Sequence, residues 1–218
     1  SLYKEGQHAG VPLDYFSLPF DPKLDRPDAK GSSRGRNWPI QSPLKSNRLE
    51  VDFTPEYVEQ FKTLLKDASE HFAQKYPKTT IVIYQDSLDE PGFHKGTQES
   101  AMAQLRSIQG YGKIIKELKL KNVKYKLDIG GGFARAKYDL DENGKKEGSK
   151  DVVSALADYV DIWSVHGRCI DTDVLKPAIE KGAHAWFYNG FEPRIGPTVI
   201  AGEGLGPRTW HWVVWNSD

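Results

Sequence analysis

Residues 79–91 read TTIVIYQDSLDEP, a buried strand running straight into an acidic loop. Thr79 to Tyr84 are β-branched or aromatic with one closing tyrosine, the composition of a strand covered on both faces, as in parallel sheets. A helix is expected on each side of it. Upstream, Thr54-Pro55-Glu56 combines a capping hydroxyl, a proline in the first turn and an acid beside the positive helix end. Val58, Phe61, Leu64, Leu65, Ala68 and Phe72 then recur at helical spacing to about Tyr76, and Pro77 ends the stripe. Downstream, after the loop QDSLDEPGFHKG, Met102, Leu105, Ile108, Ile115 and Leu118 form the stripe of a second helix, from about Gln98 to Leu118.

The same alternation continues outward. Val123 to Ile129 reads as a strand closed by Gly130-Gly131-Gly132, and 152–159 as a short helix. Val160 to Val165 is a strand, Thr172 to Lys181 a helix stopped by Gly182, and Ala183 to Tyr188 a strand. Towards the start, residues 11–20 read as a strand ending at Pro19. Strand and helix alternating in this way predict an α/β fold, a parallel sheet with helices packed outside it. A doubly wound sheet and a barrel share that signature. Residues with chemical potential follow several successive strands, which favours a TIM-barrel-type (β/α)8 domain over an open sheet with one switch point.

About five strands are legible and a complete barrel has eight, so the expectation is a partial barrel spanning 1–218. The remaining wall would come from a longer parent chain or from a second polypeptide. Two segments interrupt the alternation. Residues 21–53, rich in Pro, Gly and Ser, are too long for an ordinary connection and read as a loop over one face, carrying Arg36, Asn37 and Trp38. Residues 137–150 are polar and read as a solvated hairpin or insertion. Pro207 to Trp215 is expected to be helical, with Trp210, Trp212 and Trp215 crowded together.

Bulk properties narrow the function classes. Thirty basic and thirty acidic side chains cancel, so no basic field recruits nucleic acid. No apolar run approaches the roughly 20 residues of a spanning helix. A neutral polar substrate suits this balance, and six Trp, ten Tyr and nine Phe supply flat faces of the kind that stack on sugar rings. Cys169 is the one cysteine, so no disulfide forms within the chain. That fits a cytoplasmic protein and equally a secreted or periplasmic bacterial enzyme without disulfides.

Asp89-Glu90-Pro91 follows the strand 79–84 at the position where a barrel carries its catalytic groups. Adjacent carboxylates repel, so one tends to keep its proton near neutral pH. A protonated carboxyl beside an ionised one is what glycosidic cleavage uses. An acidic turn ahead of a helix is the competing account of the tripeptide. Sequence neighbours do not easily sit on opposite faces of a sugar ring, so the pair suits substrate-assisted hydrolysis, in which the 2-acetamido oxygen of the substrate attacks the anomeric carbon.

The ordered runs IVIYQDSLDEP, DIWSVHG, AWFYNG and GLGPRTWHWVVW resemble glycoside hydrolase family 123 over roughly residues 79–215. The resemblance implies a retaining β-N-acetylgalactosaminidase with an Asp-Glu pair at the end of the fourth barrel strand. It makes Asp89 the residue that orients the acetamido group and Glu90 the acid/base. It also implies a barrel longer than this chain, usually preceded by a β-sandwich, with a final strand beyond Trp215. No cofactor and no metal are expected.

Further candidates stand at or near strand ends. The Tyr188 hydroxyl is a candidate partner for the acetamido carbonyl, with Asn189 beside it, and Trp186 a candidate stacking floor or a core residue. His166 can bond a sugar hydroxyl or serve a structural role, and Trp163, within the strand before it, is a further candidate sugar contact. His94, four residues past Glu90, is a candidate contact for the leaving group, and Asp128 closes its strand. A glycosidase for a sugar without the acetamido group, or a carbohydrate-binding fragment without catalysis, stay open as alternatives.

Two motifs are decoys. Asp139, Asp141, Asn143 and Gly144 match half of a calcium loop, but Lys150 occupies the position of the bidentate Glu, and an Asn-Gly turn accounts for them. Gly130–Gly132 lacks the dinucleotide spacing.

Overall fold

The computed structural model describes residues 14–19, 44–45, 50–84, 98–129, 137–138, 150–166 and 172–188. In chain order the elements are β1 (Tyr15–Pro19), β2 (Leu44–Lys45), β3 (Glu50–Val51), α1 (Pro55–Lys75), β4 (Thr80–Tyr84), α2 (Gln98–Leu118) and β5 (Val123–Ile129). They continue with β6 (Lys137–Tyr138), β7 (Lys150–Asp151), α3 (Val152–Leu156), β8 (Ile162–His166), α4 (Thr172–Ile179) and β9 (His184–Tyr188).

Local chemistry sets the boundaries. Thr54 caps α1, its Oγ1 accepting from the Tyr57 N–H at 3.3 Å, with Pro55 in the first turn as the sequence predicts. The helix ends at Lys75, before Pro77. Gly182 follows α4 with φ +86°, a left-handed position that costs a glycine nothing.

Five strands form one all-parallel sheet in the order β1-β4-β5-β8-β9. Among the described strands the order is consecutive, with no point at which it reverses. β5 alternates cleanly. Val123, Tyr125, Leu127 and Ile129 turn to the helices, and Lys124, Lys126 and Asp128 turn to the other face. In-register partners in a parallel sheet share a face, so Phe16, Leu18, Ile81, Ile83, Trp163, Val165, Ala185 and Phe187 join the helix side. There they meet Phe61, Leu65 and Phe72 of α1 and Leu105, Ile108 and Tyr111 of α2 in one core. Each fully buried side chain of this size stabilises the fold by about 1.5–3 kcal/mol before chain entropy is counted.

The opposite face is concave. Tyr15 and Trp186 stand on it at the two ends of the strand order, four spacings apart, which is about 19 Å in a flat sheet. Their ring centroids are nevertheless 4.9 Å apart, at an interplanar angle of 85°. The contact requires the sheet to curl towards this face.

The N-terminal edge of the sheet is stitched by Asp161. Its carboxylate accepts from the Tyr125 N–H at 2.9 Å and pairs with Lys116 Nζ at 2.5 Å. Its own N–H and carbonyl bond Tyr125 and His184, so one residue spans β5, β8 and β9.

The segment 21–53 is more structured at its end than a loop. β2 and β3 pair antiparallel, and the buried Val51 donates its N–H to Ser107 Oγ of α2 at 2.9 Å. Burying Val51, with Phe53 packed against the core, draws this end under the helices rather than over the opposite face. Arg36, Asn37 and Trp38 lie outside the described residues. The polar insertion begins and ends as a hairpin, β6 pairing antiparallel with β7, and Asp151 then caps α3 by accepting from the Ser154 N–H at 2.8 Å.

Candidate functional site

The concave face carries polar and aromatic groups at its C-terminal half. Two rows matter. Tyr84 closes β4 and lies beside Lys126 of β5, while Asp128, Ser164 and Trp186 occupy one row across β5, β8 and β9. The register brings them together: each is separated from the next element by a helix, and only strand pairing aligns them.

Lys126 and Asp128, two residues apart on one strand, form an ion pair with Nζ 2.5 Å from Oδ1. Their side chains are only 15% and 14% exposed. The same ammonium sits 4.1 Å from the Tyr84 ring centroid, a cation–π contact worth about 1–2 kcal/mol when desolvated. Among the described residues Asp128 Oδ1 is buried and takes no hydrogen bond of ordinary geometry, and the Lys126 charge compensates it. Removing one partner of a pair this enclosed costs about 3–5 kcal/mol, because it strands the other charge. Val82 and Ile162 on the same face are apolar and buried, and Ser164 is buried between Asp128 and Trp186. A cation, an anion and an aromatic pair on one concave surface suit a neutral ligand with many hydroxyls and an apolar ring face.

The sequence candidates fall into three groups. Trp186 is half-buried on the concave face against Tyr15, and Asp128 is in its row. His166 and Tyr188 are paired by register in the last row of β8 and β9, one pleat step beyond Ser164 and Trp186; their side chains are outside the description. Asp89, Glu90, His94 and Asn189 lie outside the described residues, as do Gly130–Gly132, the calcium-like segment 139–144 and Trp210–Trp215.

Trp163 requires a correction. The sequence offered it as a sugar contact beside His166, yet it is 1% exposed and belongs to the core between sheet and helices. Strand parity explains this: Trp163 is paired with Leu127 and Ala185, the helix-facing row, one residue out of step with Ser164 and Trp186. Its indole N–H has no hydrogen-bond partner among the described residues.

Lys126, Tyr84 and Tyr15 were not singled out from the sequence. The signal for Lys126 is the alternation VKYKLDI, which puts Lys124, Lys126 and Asp128 on one face of a strand whose other face is wholly apolar. Among the described residues no three His, Cys, Asp or Glu side chains converge as metal ligands, and no helix is long and apolar enough to cross a membrane. Comparison with protein-family models, with curated proteins and with solved structures finds no match for this chain.

Proposed function

We propose that this chain forms part of the wall of a (β/α)8 barrel in a retaining glycoside hydrolase, one that removes terminal β-linked N-acetylgalactosamine by substrate-assisted catalysis. The observation that carries the reading is the curl of a consecutively ordered parallel sheet, measured by the Tyr15–Trp186 contact. A barrel wall orders its strands in this way and turns one face inward, whereas a doubly wound sheet reverses its order at a switch point. Tyr15 and Trp186 also stand three pleat steps apart along the rows that join them, the stagger expected of tilted strands.

In this reading the ligand enters at the C-terminal ends of the strands, where β4 leads into Asp89 and Glu90 and β8 and β9 end at His166 and Tyr188. Glu90 gives its proton to the glycosidic oxygen as that bond breaks, and the acetamido oxygen closes on the anomeric carbon. Asp89 accepts from the acetamido N–H and offsets the positive charge that develops. Glu90, now ionised, takes a proton from water, which opens the cyclic intermediate with overall retention. Trp186 supplies an apolar surface for the ring, and Tyr188, Asn189, His166 and His94 are the further polar contacts proposed from the sequence. The order of motifs resembling glycoside hydrolase family 123 supports the choice of sugar.

The test is release of nitrophenol from the β-N-acetylgalactosaminide, beside the glucosaminide and the galactoside. Preferential cleavage of the first, loss of turnover in Glu90→Gln with sugar binding kept, and inhibition by a thiazoline analogue are expected. Turnover of the plain galactoside with no thiazoline inhibition would sink the substrate-assisted mechanism. Binding without turnover in the unaltered protein would make it a lectin.

A further inference from the structure

We infer that Lys126 and Asp128 form a hydroxyl-binding subsite on the concave face, which takes two neighbouring hydroxyls of a pyranose whose apolar face rests on Trp186. The inference deepens the proposed carbohydrate reading and depends on it, adding residues that the sequence did not assign to the sugar as a pair.

Three observations carry it. The first is composition. Val82 and Ile162 fill the same face with buried apolar side chains, as barrel interiors usually do, yet Lys126 and Asp128 place an ion pair there. An enclosed ion pair is weak evidence for stability, since apolar residues of similar volume often stabilise a fold as well or better.

The second is unused bonding capacity. Among the described residues Asp128 Oδ1, a buried atom, is met by the Lys126 ammonium and takes no hydrogen bond of ordinary geometry. Lys126 directs its charge to Asp128 and to the Tyr84 ring. An ammonium has three N–H groups and a carboxylate about four lone-pair sites, more than the contacts among the described residues use. Neighbouring hydroxyls, each a donor and an acceptor, complement such a pair with no net charge transferred to the ligand.

The third is spacing. Asp128 and Trp186 share a row two strands apart, about 10 Å between backbones, and the curl tips their side chains towards each other. Ser164 between them is buried and small. A sugar ring laid on the indole therefore directs its edge, where the hydroxyls are, at the ion pair.

The experiment crosses residue changes with hydroxyl deletions. N-acetylgalactosamine and its 3-, 4- and 6-deoxy analogues are titrated calorimetrically into the full-length protein and into Asp128→Asn and Lys126→Met, with folding checked by circular dichroism. In the unaltered protein, deleting either of two neighbouring hydroxyls should weaken binding at least about tenfold. In either variant the same deletions should cost less than about twofold, because the group they answered is gone. Should the single variants fail to fold, the exchanged variant Lys126→Asp with Asp128→Lys retains both charges, and the hydroxyl dependence should change there. Deletions that cost the same in every folded variant would reduce the pair to a structural element and overturn the subsite alone. Failure of the unaltered protein to bind N-acetylgalactosamine at all would remove the carbohydrate reading and the subsite with it.

Discussion

Tyr15, at the start of β1, and Trp186, in β9, meet edge to face at 4.9 Å between ring centroids although three strands lie between them in the sheet. The contact joins the two ends of the described strand order and defines which face is the inside. It also separates the roles of two tryptophans that the sequence treats alike, Trp186 on the concave face and Trp163 in the core.

Replacing these two should therefore give opposite results. Trp163→Ala empties a fully enclosed site and should cost about 3–5 kcal/mol in urea unfolding. Trp186→Ala loses the ring pair and partial burial, about 1–2 kcal/mol, but should abolish measurable sugar binding. A larger stability loss in Trp186→Ala than in Trp163→Ala would contradict the assignment of faces.

Two glycines of α2 are predicted to differ as well. A Cβ at Gly112 would lie 2.5 Å from Tyr159 Cβ and 3.2 Å from its Cα and carbonyl oxygen, which are backbone atoms that cannot turn aside. At Gly110 the clash, at 2.3 Å, is with the half-buried ring of Phe53, which can rotate. Alanine in a helix gains about 1 kcal/mol over glycine, while overpacking costs about 1–3 kcal/mol. Gly112→Ala should lose about 2 kcal/mol net and Gly110→Ala should be close to neutral, as thermal or urea unfolding will measure.

Alkaline pH should weaken the fold through Tyr125. Complete burial, with a smaller contribution from the nearby Tyr57, raises its phenol well above the ordinary value of 10.0. The neutral form is the one that the native state holds, so this contribution is fully present below the unfolded-state pKa. It is lost as pH climbs from about 10 towards the raised native value. Unfolding free energies measured between about pH 8 and 11 should fall above pH 10, and Tyr125→Phe should flatten that slope. An unchanged slope in Tyr125→Phe would assign the alkaline loss to other groups.

At the opposite edge of the sheet, Asp161→Ala deprives the Tyr125 N–H of its acceptor and Lys116 of its partner. A hydrogen bond to a charged group contributes about 1.5–3 kcal/mol, and the Lys116 pair adds little because that lysine is 43% exposed. A loss of about 2 kcal/mol in urea unfolding is expected. An unchanged unfolding free energy in Asp161→Ala would show that this carboxylate does not hold the sheet edge together.

Much of the architecture is legible in the sequence. The Thr54 cap, the stripe from Val58 to Phe72, the strand ahead of Asp89 and the glycine after α4 are set by interactions within three or four residues, or by pleat periodicity, so a linear reading finds them. Asp128 and Trp186 were legible as strand residues with chemistry. The pairing of Asp128 with Lys126 was open to a parity argument along VKYKLDI, while Trp163 was misassigned because in a strand covered on both sides hydrophobicity does not reveal which face a residue takes.

By itself, then, the chain's sequence determined the alternation of the main helices and strands, though not β2 and β3, and that the sheet is parallel. Tertiary structure decided the consecutive strand order, the direction of curl, and which half of each strand looks inward. These depend on register between segments far apart in the chain, where a slip of one residue exchanges the faces. That is why Tyr15 and Trp186 carry no sign of each other in the sequence and yet close the concave face between them.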